Sequence, residues 1–277
     1  MLASGGTVEQ VWIDKLIKSK FKKIIDSIQL GGYLLMEIEY FASTKKGQRN
    51  LINQDRVLVN DVLLAGGKVH GITKKSLCAI VCDGAGGETR GEWGSELAAN
   101  EFLNINLIGE SPSSIYQHLD TINKKLIKIS NELFQTNSRI VTTIAGIMIS
   151  GNQILLFNTG DTRIYSIVNG ELSQLSIDHS ETEIGNKKQR LLTKSIGGGD
   201  HTWIPTVEFG EIKNDQGLLL ICTDGLYERI EKDTSLDKET TENFKGIVRK
   251  LTSIQNEGTI DDASFCILKF KNTKDLS

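Results

Sequence analysis

Four aspartates stand out by where they fall in the chain. The apolar run Ser76-Leu77-Cys78-Ala79-Ile80-Val81-Cys82 leads directly into Asp83-Gly84, and Leu218-Leu219-Leu220-Ile221-Cys222-Thr223 leads into Asp224-Gly225. Ile154-Leu155-Leu156-Phe157 passes through Asn158-Thr159 into Gly160-Asp161, and Asp261-Asp262 immediately precedes the apolar stretch 263–270. A buried strand fixes its terminal residue, so several strands can bring carboxylates from distant parts of a chain to one place. Carboxylates brought together repel and lose hydration, and a cation relieves both costs. Oxygen donors of this kind suit Mg2+ or Mn2+, not zinc. Glycine after Asp83 and Asp224 permits a tight turn and lets a backbone carbonyl approach a metal. Asp-Gly after one strand is also an ordinary turn signal. Spacing alone therefore leaves open both a cation site and a set of turns.

The elements that would position these acids are mostly short strands. Candidates are 37–42, 56–64, 76–82, 141–149, 153–158, 162–168, 171–175, 217–223 and 263–270, with hairpin turns at Gly151-Asn152 and Asn169-Gly170. Helical spacing covers 91–107, 113–135 and 240–252; in the second, Ile115, Leu119, Ile122, Leu126, Ile129 and Leu133 recur every three to four residues. Strands clustered around paired helices, without strict alternation, predict an α+β fold with antiparallel sheets. Residues 8–30 carry an apolar face (Val8, Val11, Trp12, Leu16, Phe21, Ile24, Ile25, Ile28) and a lysine-rich one. This segment reads as a helix packed on the domain, with a membrane-surface or partner-docking helix as the alternative. Residues 1–35 are thus expected to be an N-terminal extension, helical by pattern, and 36–273 one catalytic domain.

Composition narrows the function classes. A formal net charge of −3 argues against a broad nucleic-acid footprint. No run approaches the ~20 apolar residues that would span a bilayer, and no basic-then-apolar leader pattern opens the chain. Cys78, Cys82, Cys222 and Cys266 form no CxxC pair and sit inside apolar runs, so they read as reduced core thiols. A cytoplasmic location is the expectation.

At these residues the sequence resembles the metal-dependent serine/threonine protein phosphatases of the 2C type, the PPM family, in its bacterial form. Asp83-Gly84-Ala85-Gly86-Gly87 is similar to the family's Asp-Gly-x-Gly-Gly, and Gly91-Glu92-Trp93-Gly94-Ser95 to the entry into its first long helix. Thr142-Thr143 heads a strand as in the family. Asn158-Thr159-Gly160-Asp161-Thr162-Arg163, Asp178-His179-Ser180, Leu192-Thr193-Lys194-Ser195-Ile196-Gly197, Cys222-Thr223-Asp224-Gly225-Leu226 and Asp261-Asp262-Ala263-Ser264 follow in the family's order. The resemblance covers about residues 38–270. It implies a four-layer αββα sandwich, two antiparallel sheets flanked by helices, with metals at one edge. It also implies catalysis through Asp83, Asp224 and Asp261, with Mn2+ or Mg2+ (two ions, or three) held by Asp55, Asp83, the Gly84 carbonyl, Asp161, Asp224 and Asp261. Asp161 matches a position associated with a third ion. The implied partner is a phosphoprotein substrate, with a cognate kinase or its target beside it.

Several positions depart from the family pattern. In Asn53-Gln54-Asp55, Gln54 stands where the family has glutamate. The phosphate-binding arginine is expected four residues before that glutamate, which is Asn50; Arg49 is the candidate and would need a small bulge to face the site. Ten residues separate Ser180 from Leu191, a shortened flap. Ala85 replaces the histidine that serves many eukaryotic relatives as leaving-group acid, which leaves protonation to water. His179 reads as structural. The resemblance implies hydrolysis of phosphoserine and phosphothreonine by a metal-activated water. The alternatives are a catalytically weakened phosphatase-like regulatory or binding module, and a two-metal hydrolase acting on a small phosphoester or a nucleotide.

Overall fold

The computed structural model describes residues 36–272, except 75, 86–89, 104, 135–137, 183–189, 213–216 and 233–242. The expectations for residues 1–35 and for most of the flap lie outside the described residues. Two six-stranded antiparallel sheets dominate. In chain order the strands are β1 (Met36–Lys45), β2 (Arg56–Val59), β3 (Val62–Leu64), β4 (Gly67–Thr73), β5 (Ser76–Cys82), β6 (Ile144–Ser150), β7 (Gln153–Thr159), β8 (Arg163–Val168), β9 (Glu171–Gln174), β10 (Ser180–Thr182), β11 (Arg190–Leu192), β12 (Thr206–Glu211), β13 (Leu218–Cys222) and β14 (Ala263–Asn272). One sheet runs β4-β1-β14-β13-β8-β9, the other β12-β7-β6-β5-β2-β3, and β10 and β11 form a separate hairpin.

Side-chain alternation builds the layers. Leu77, Ala79 and Val81 of β5 join Leu219 and Ile221 of β13 and Cys266, Leu268 and Phe270 of β14 in a core between the sheets. The intervening residues face outward: Cys78, Ile80 and Cys82 pack against one helical layer, Leu218, Leu220, Cys222, Phe265 and Ile267 against the other. Successive residues of a strand point to opposite faces, so strands buried on both faces read as continuous apolar runs. This accounts for the runs that lead to the acids.

The first helical layer is α1 (Gly91–Glu101) with α2 (Pro112–Leu133), and the second is α3 (Asp224–Ile230) with α4 (Phe244–Asn256). Ser111 caps α2 by accepting from Ser114 N, and Pro112 occupies the first helical turn, where no amide partner is needed. The four-layer αββα arrangement matches the expected fold. All four cysteines are free and buried. Burial pushes the Cys78 thiol up to about 12 and Cys82, Cys222 and Cys266 upward too, as expected of core thiols.

Several boundaries differ from the pattern-based expectation. The single strand expected at 56–64 is two strands joined at Asn60-Asp61, where Asn60 takes φ 54°. The edge strands β4 and β12, the short hairpin β10–β11, and α3 fall outside the expected elements. β4 alternates exposed with half-buried residues and β12 is mostly half-buried, so neither carries the buried apolar run that marks its interior neighbours. Gly146 shows how closely neighbouring strands pack within one sheet, since a Cβ there would lie 2.3 Å from the ring of Phe157, its cross-strand partner. Gly146→Val is expected to cost about 1–3 kcal/mol through overpacking, read as a lower urea midpoint with an unchanged m-value.

Candidate functional site

The strand ends at one edge of the sandwich carry the acids. Asp55 precedes β2 and Asp83 follows β5; because Arg56 pairs with Cys82, the two carboxylates flank the same end of one ladder. Asp224 opens α3 just after β13, and Asp261 stands two residues before β14. Asp161 lies in the turn between β7 and β8. Five aspartates thus come from both sheets. Thr223 Oγ1 donates to Asp55 Oδ2 at 3.0 Å, a bond that crosses from one sheet to the other.

Backbone bonds hold each position. The Asp83 carbonyl accepts from Thr143 N (2.8 Å) and Thr142 Oγ1 (2.9 Å), and its amide donates to Thr143 Oγ1 at 3.2 Å. Gly84 is pinned between Gly91 and Gln54: an added Cβ would fall 2.3 Å from the Gly91 carbonyl oxygen. A Cβ on Gly225 would fall 2.1 Å from the Asp262 carbonyl oxygen. Only glycine lets these backbones approach so closely.

The carboxylates bear the electrostatic consequences. Asp55 is fully buried, and burial, reinforced by the charges of Asp262 and Asp224, pushes its pKa up to about 8 against hydrogen bonds from Ser264 and Thr223. Burial and then Asp261 and Asp161 push Asp224 up to about 7. Asp83 is raised well above the carboxylate range by burial and by Asp55, Asp224, Asp161 and Asp261. Asp83 therefore feels the charge of the other four acids. Asp55 Oδ1 and Asp224 Oδ1 are buried with no hydrogen-bond partner, which is costly unless something positive or protonated faces them. Among the described residues, no three His, Cys, Asp or Glu side chains already close into a coordination cluster. The donor set is all oxygen, and the buried, partnerless oxygens fit a hard divalent cation.

The two acids at the end of the chain's last strand have different partners. Asp262 Oδ1 accepts from Gly47 N at 2.7 Å, and its Oδ2 accepts from Gln54 N at 2.7 Å and Asn50 Nδ2 at 3.0 Å. It clamps the loop 46–54 and is spent structurally. Asp261 Oδ2 accepts from the exposed Arg49 Nη1 at 2.5 Å, and its Oδ1 from Asn50 Nδ2 at 3.3 Å. The expected bulge is not needed. β1 ends at Lys45 and β2 begins at Arg56, so strand parity does not constrain Arg49, and both Arg49 and Asn50 reach Asp261. Gln54 is held beside the site by its backbone: its carbonyl accepts from Gly84 N at 3.2 Å.

His179 is a clamp as well. Gly160 N donates to its Nδ1 at 3.2 Å, His179 N donates to the Gly160 carbonyl at 3.0 Å, and its Nε2 bonds Thr206 Oγ1 at 3.1 Å. Burial lowers its pKa to about 4, so the ring is neutral at ordinary pH. Arg163 reinforces the same turn by a bidentate pair with Asp178 and by stacking 3.8 Å over the Tyr227 ring. Sequence reasoning did not assign Thr223, Thr143 and Asp262 their supporting roles. Adjacent Asp261 and Asp262 carry no mark in the sequence that tells the partner of Arg49 from the acceptor of backbone amides.

The titration sign follows from these shifts. Asp55 and Asp224 hold protons in the folded chain from about pH 4 to pH 7 or 8, where the unfolded chain, with both near 3.8, does not. Metal-free stability is expected to fall as pH rises through that window. Divalent cations held by these carboxylates would take the protons' place, so Mn2+ should raise the melting temperature more at pH 8 than at pH 5. Thermal melts with and without Mn2+ at both pH values check this; equal shifts would contradict it.

Comparison with known proteins follows the same lines. A family model described as protein phosphatase 2C matches residues 44–259. The serine/threonine phosphatase stp of Listeria welshimeri is 26% identical over 167 residues, 53% of this chain and 65% of that protein, so the match spans just under two thirds of this relative. Protein phosphatase PhpP of Streptococcus pneumoniae is 26% identical over 219 residues, covering 72% of this chain and 83% of that one. The crystal structure of the serine/threonine phosphatase Stp1 from Staphylococcus aureus superposes with a TM-score of 0.67 at 20% identity, covering 88% of this chain and 98% of that one. That likeness concerns the fold. The family match extends over most of the chain and includes four of the five converging acids, and the chain belongs to the protein phosphatase 2C family.

Proposed function

We propose that this chain is a metal-dependent protein phosphatase that hydrolyses phosphoserine and phosphothreonine. The observation that carries the reading is the convergence on Asp83 of four other aspartates, from both sheets, at one edge of this family's fold. Asp55, Asp83, Asp224 and Asp261, with the Gly84 carbonyl, would hold two cations, Mn2+ or Mg2+, and Asp161 would serve a third. Bound there, such ions supply Lewis-acid charge and lower the pKa of a water so that hydroxide forms near neutral pH.

The chain's own residues then divide the work. The aspartates orient the nucleophilic water for in-line attack on phosphorus, as the bond from phosphorus to the seryl or threonyl oxygen breaks. Ala85 brings no acid to this edge, so the leaving oxygen takes its proton from water. Arg49 stands at the rim on Asp261, where its guanidinium can grip a phosphate in bidentate fashion. The cysteines stay out of the chemistry, being buried with raised thiol pKa values. Such thiols fit the reducing cytoplasm. No described helix is long and apolar enough to cross a membrane. A phosphoprotein, tied to a cognate kinase or its target, is the proposed partner. The weakened binding module is the poorer reading, since all five acids are retained together.

Mn2+-dependent hydrolysis of p-nitrophenyl phosphate is the test. Asp83→Asn and Asp224→Asn are each expected to lower kcat by about a hundredfold or more. Absence of turnover despite calorimetric Mn2+ binding would sink the proposal. Arg49→Ala is expected to raise KM for a phosphopeptide by about tenfold without weakening metal binding, because Arg49 competes for Asp261 in the metal-free chain. An unchanged KM would remove Arg49 from the phosphate site.

A further inference from the structure

Three large apolar side chains are left in water on the two segments that meet at Asp261. Leu51 is 97% exposed, Ile260 69% and Ile52 55%, and together with Ile108 they are the four most exposed large apolar side chains among the described residues. Leu51 and Ile52 follow Arg49 and Asn50, which bond Asp261, and Ile260 precedes Asp261. The two stretches are joined directly, since Gln48 N and Arg49 N donate to the Ile260 carbonyl at 3.0 and 2.9 Å.

The display is built. Lys46 Nζ donates to the carbonyls of Gly47 and Asn50 at 2.7 and 2.9 Å. Asn50 and Gly47 are held by Asp262, and Asn53 Nδ2 donates to Thr44 Oγ1 at 2.8 Å. A Cβ on Gly47 would fall 2.2 Å from the Asp261 carbonyl oxygen, so backbone is packed on backbone there. Every anchor of the loop is polar, and its apolar side chains are left facing outward. Clustered exposed apolar surface of this kind marks an interaction site, whereas scattered single residues do not.

We infer that Leu51, Ile52 and Ile260 form a docking surface for the polypeptide flanking the phosphorylated residue, favouring substrates with large apolar side chains next to the phosphoserine or phosphothreonine. The inference rests on the proposed phosphatase reading. The occupant follows from position: a chain whose phosphate is gripped by Arg49 beside Asp261 runs its neighbouring residues over this surface. A phosphopeptide therefore gains apolar burial within a residue or two of the phosphate. Free phosphate and small phosphoesters have nothing to place there.

Fluorescence anisotropy with two labelled peptides carrying a non-hydrolysable phosphonate analogue of phosphoserine, alike except for leucines or glutamates on either side of it, tests this in Mn2+, with hydrolysis of the matching phosphoserine peptides followed separately. The chain is expected to bind the leucine peptide about tenfold more tightly, about 1.4 kcal/mol. The double variant Leu51→Ser/Ile52→Ser should lose that ratio, and Leu51→Met/Ile52→Val should keep it. Equal binding of the two peptides overturns the inference, as does a ratio that survives the serine variant. A concentration-dependent dimer abolished by the serine variant would also overturn it, by assigning the surface to a second copy of the chain. Because binding is read, the ratio is separate from turnover: discrimination without hydrolysis would defeat the phosphatase reading alone, and hydrolysis without discrimination this one alone.

Discussion

The hydrogen bond from Thr223 Oγ1 to Asp55 Oδ2 joins the two sheets at the edge where the acids collect. On one side of it Asp55 and Asp83 flank the β2–β5 ladder. On the other, Thr223 leads into Asp224, and its Oγ1 also accepts from Ser264 N at 3.0 Å, two residues beyond Asp262. Separating the sheets here would dissolve the cluster. Holding them together forces carboxylates into a recess that burial and mutual repulsion make costly to ionise. The apolar core between the sheets opposes that cost, and the strands of that core carry the acids at their ends.

This arrangement explains why so many polar residues around the site are engaged in holding it together. Asp262 accepts three donors, Thr142 and Thr143 tie down Asp83, and His179 closes the Gly160 turn from both directions. Each satisfies backbone groups at points where strands end and their ladder partners run out. A recess lined by carboxylates needs such support, because a carboxylate free to rotate away from its neighbours would do so. Asp55 and Asp224 have no such freedom, and each keeps one buried oxygen without a partner.

The rim follows a different logic. Arg49 and Asn50 both reach Asp261 from a loop outside any strand, so the one-residue offset from the family pattern loses its force. Strand parity would have turned one of them away; a loop anchored by Lys46, Gly47 and Asn53 does not impose it. The same anchoring leaves Leu51 and Ile52 in solvent at the mouth of the site.

The interior strands and their terminal aspartates were legible in the amino-acid order, because burial on both faces makes a run continuously apolar and a turn must follow it. The ordered motifs extended this to the family and its four-layer fold. Edge strands β4 and β12 were not legible, since one exposed side removes the apolar run that identifies a strand. Neither was the division of labour within Asp261-Asp262, or the reach of Arg49. Those depend on which groups arrive from more than two hundred residues away, Gly47 on Asp262 and Arg49 on Asp261. Local sequence specifies the side chain and its strand; only the packing of one sheet on the other decides what that side chain meets.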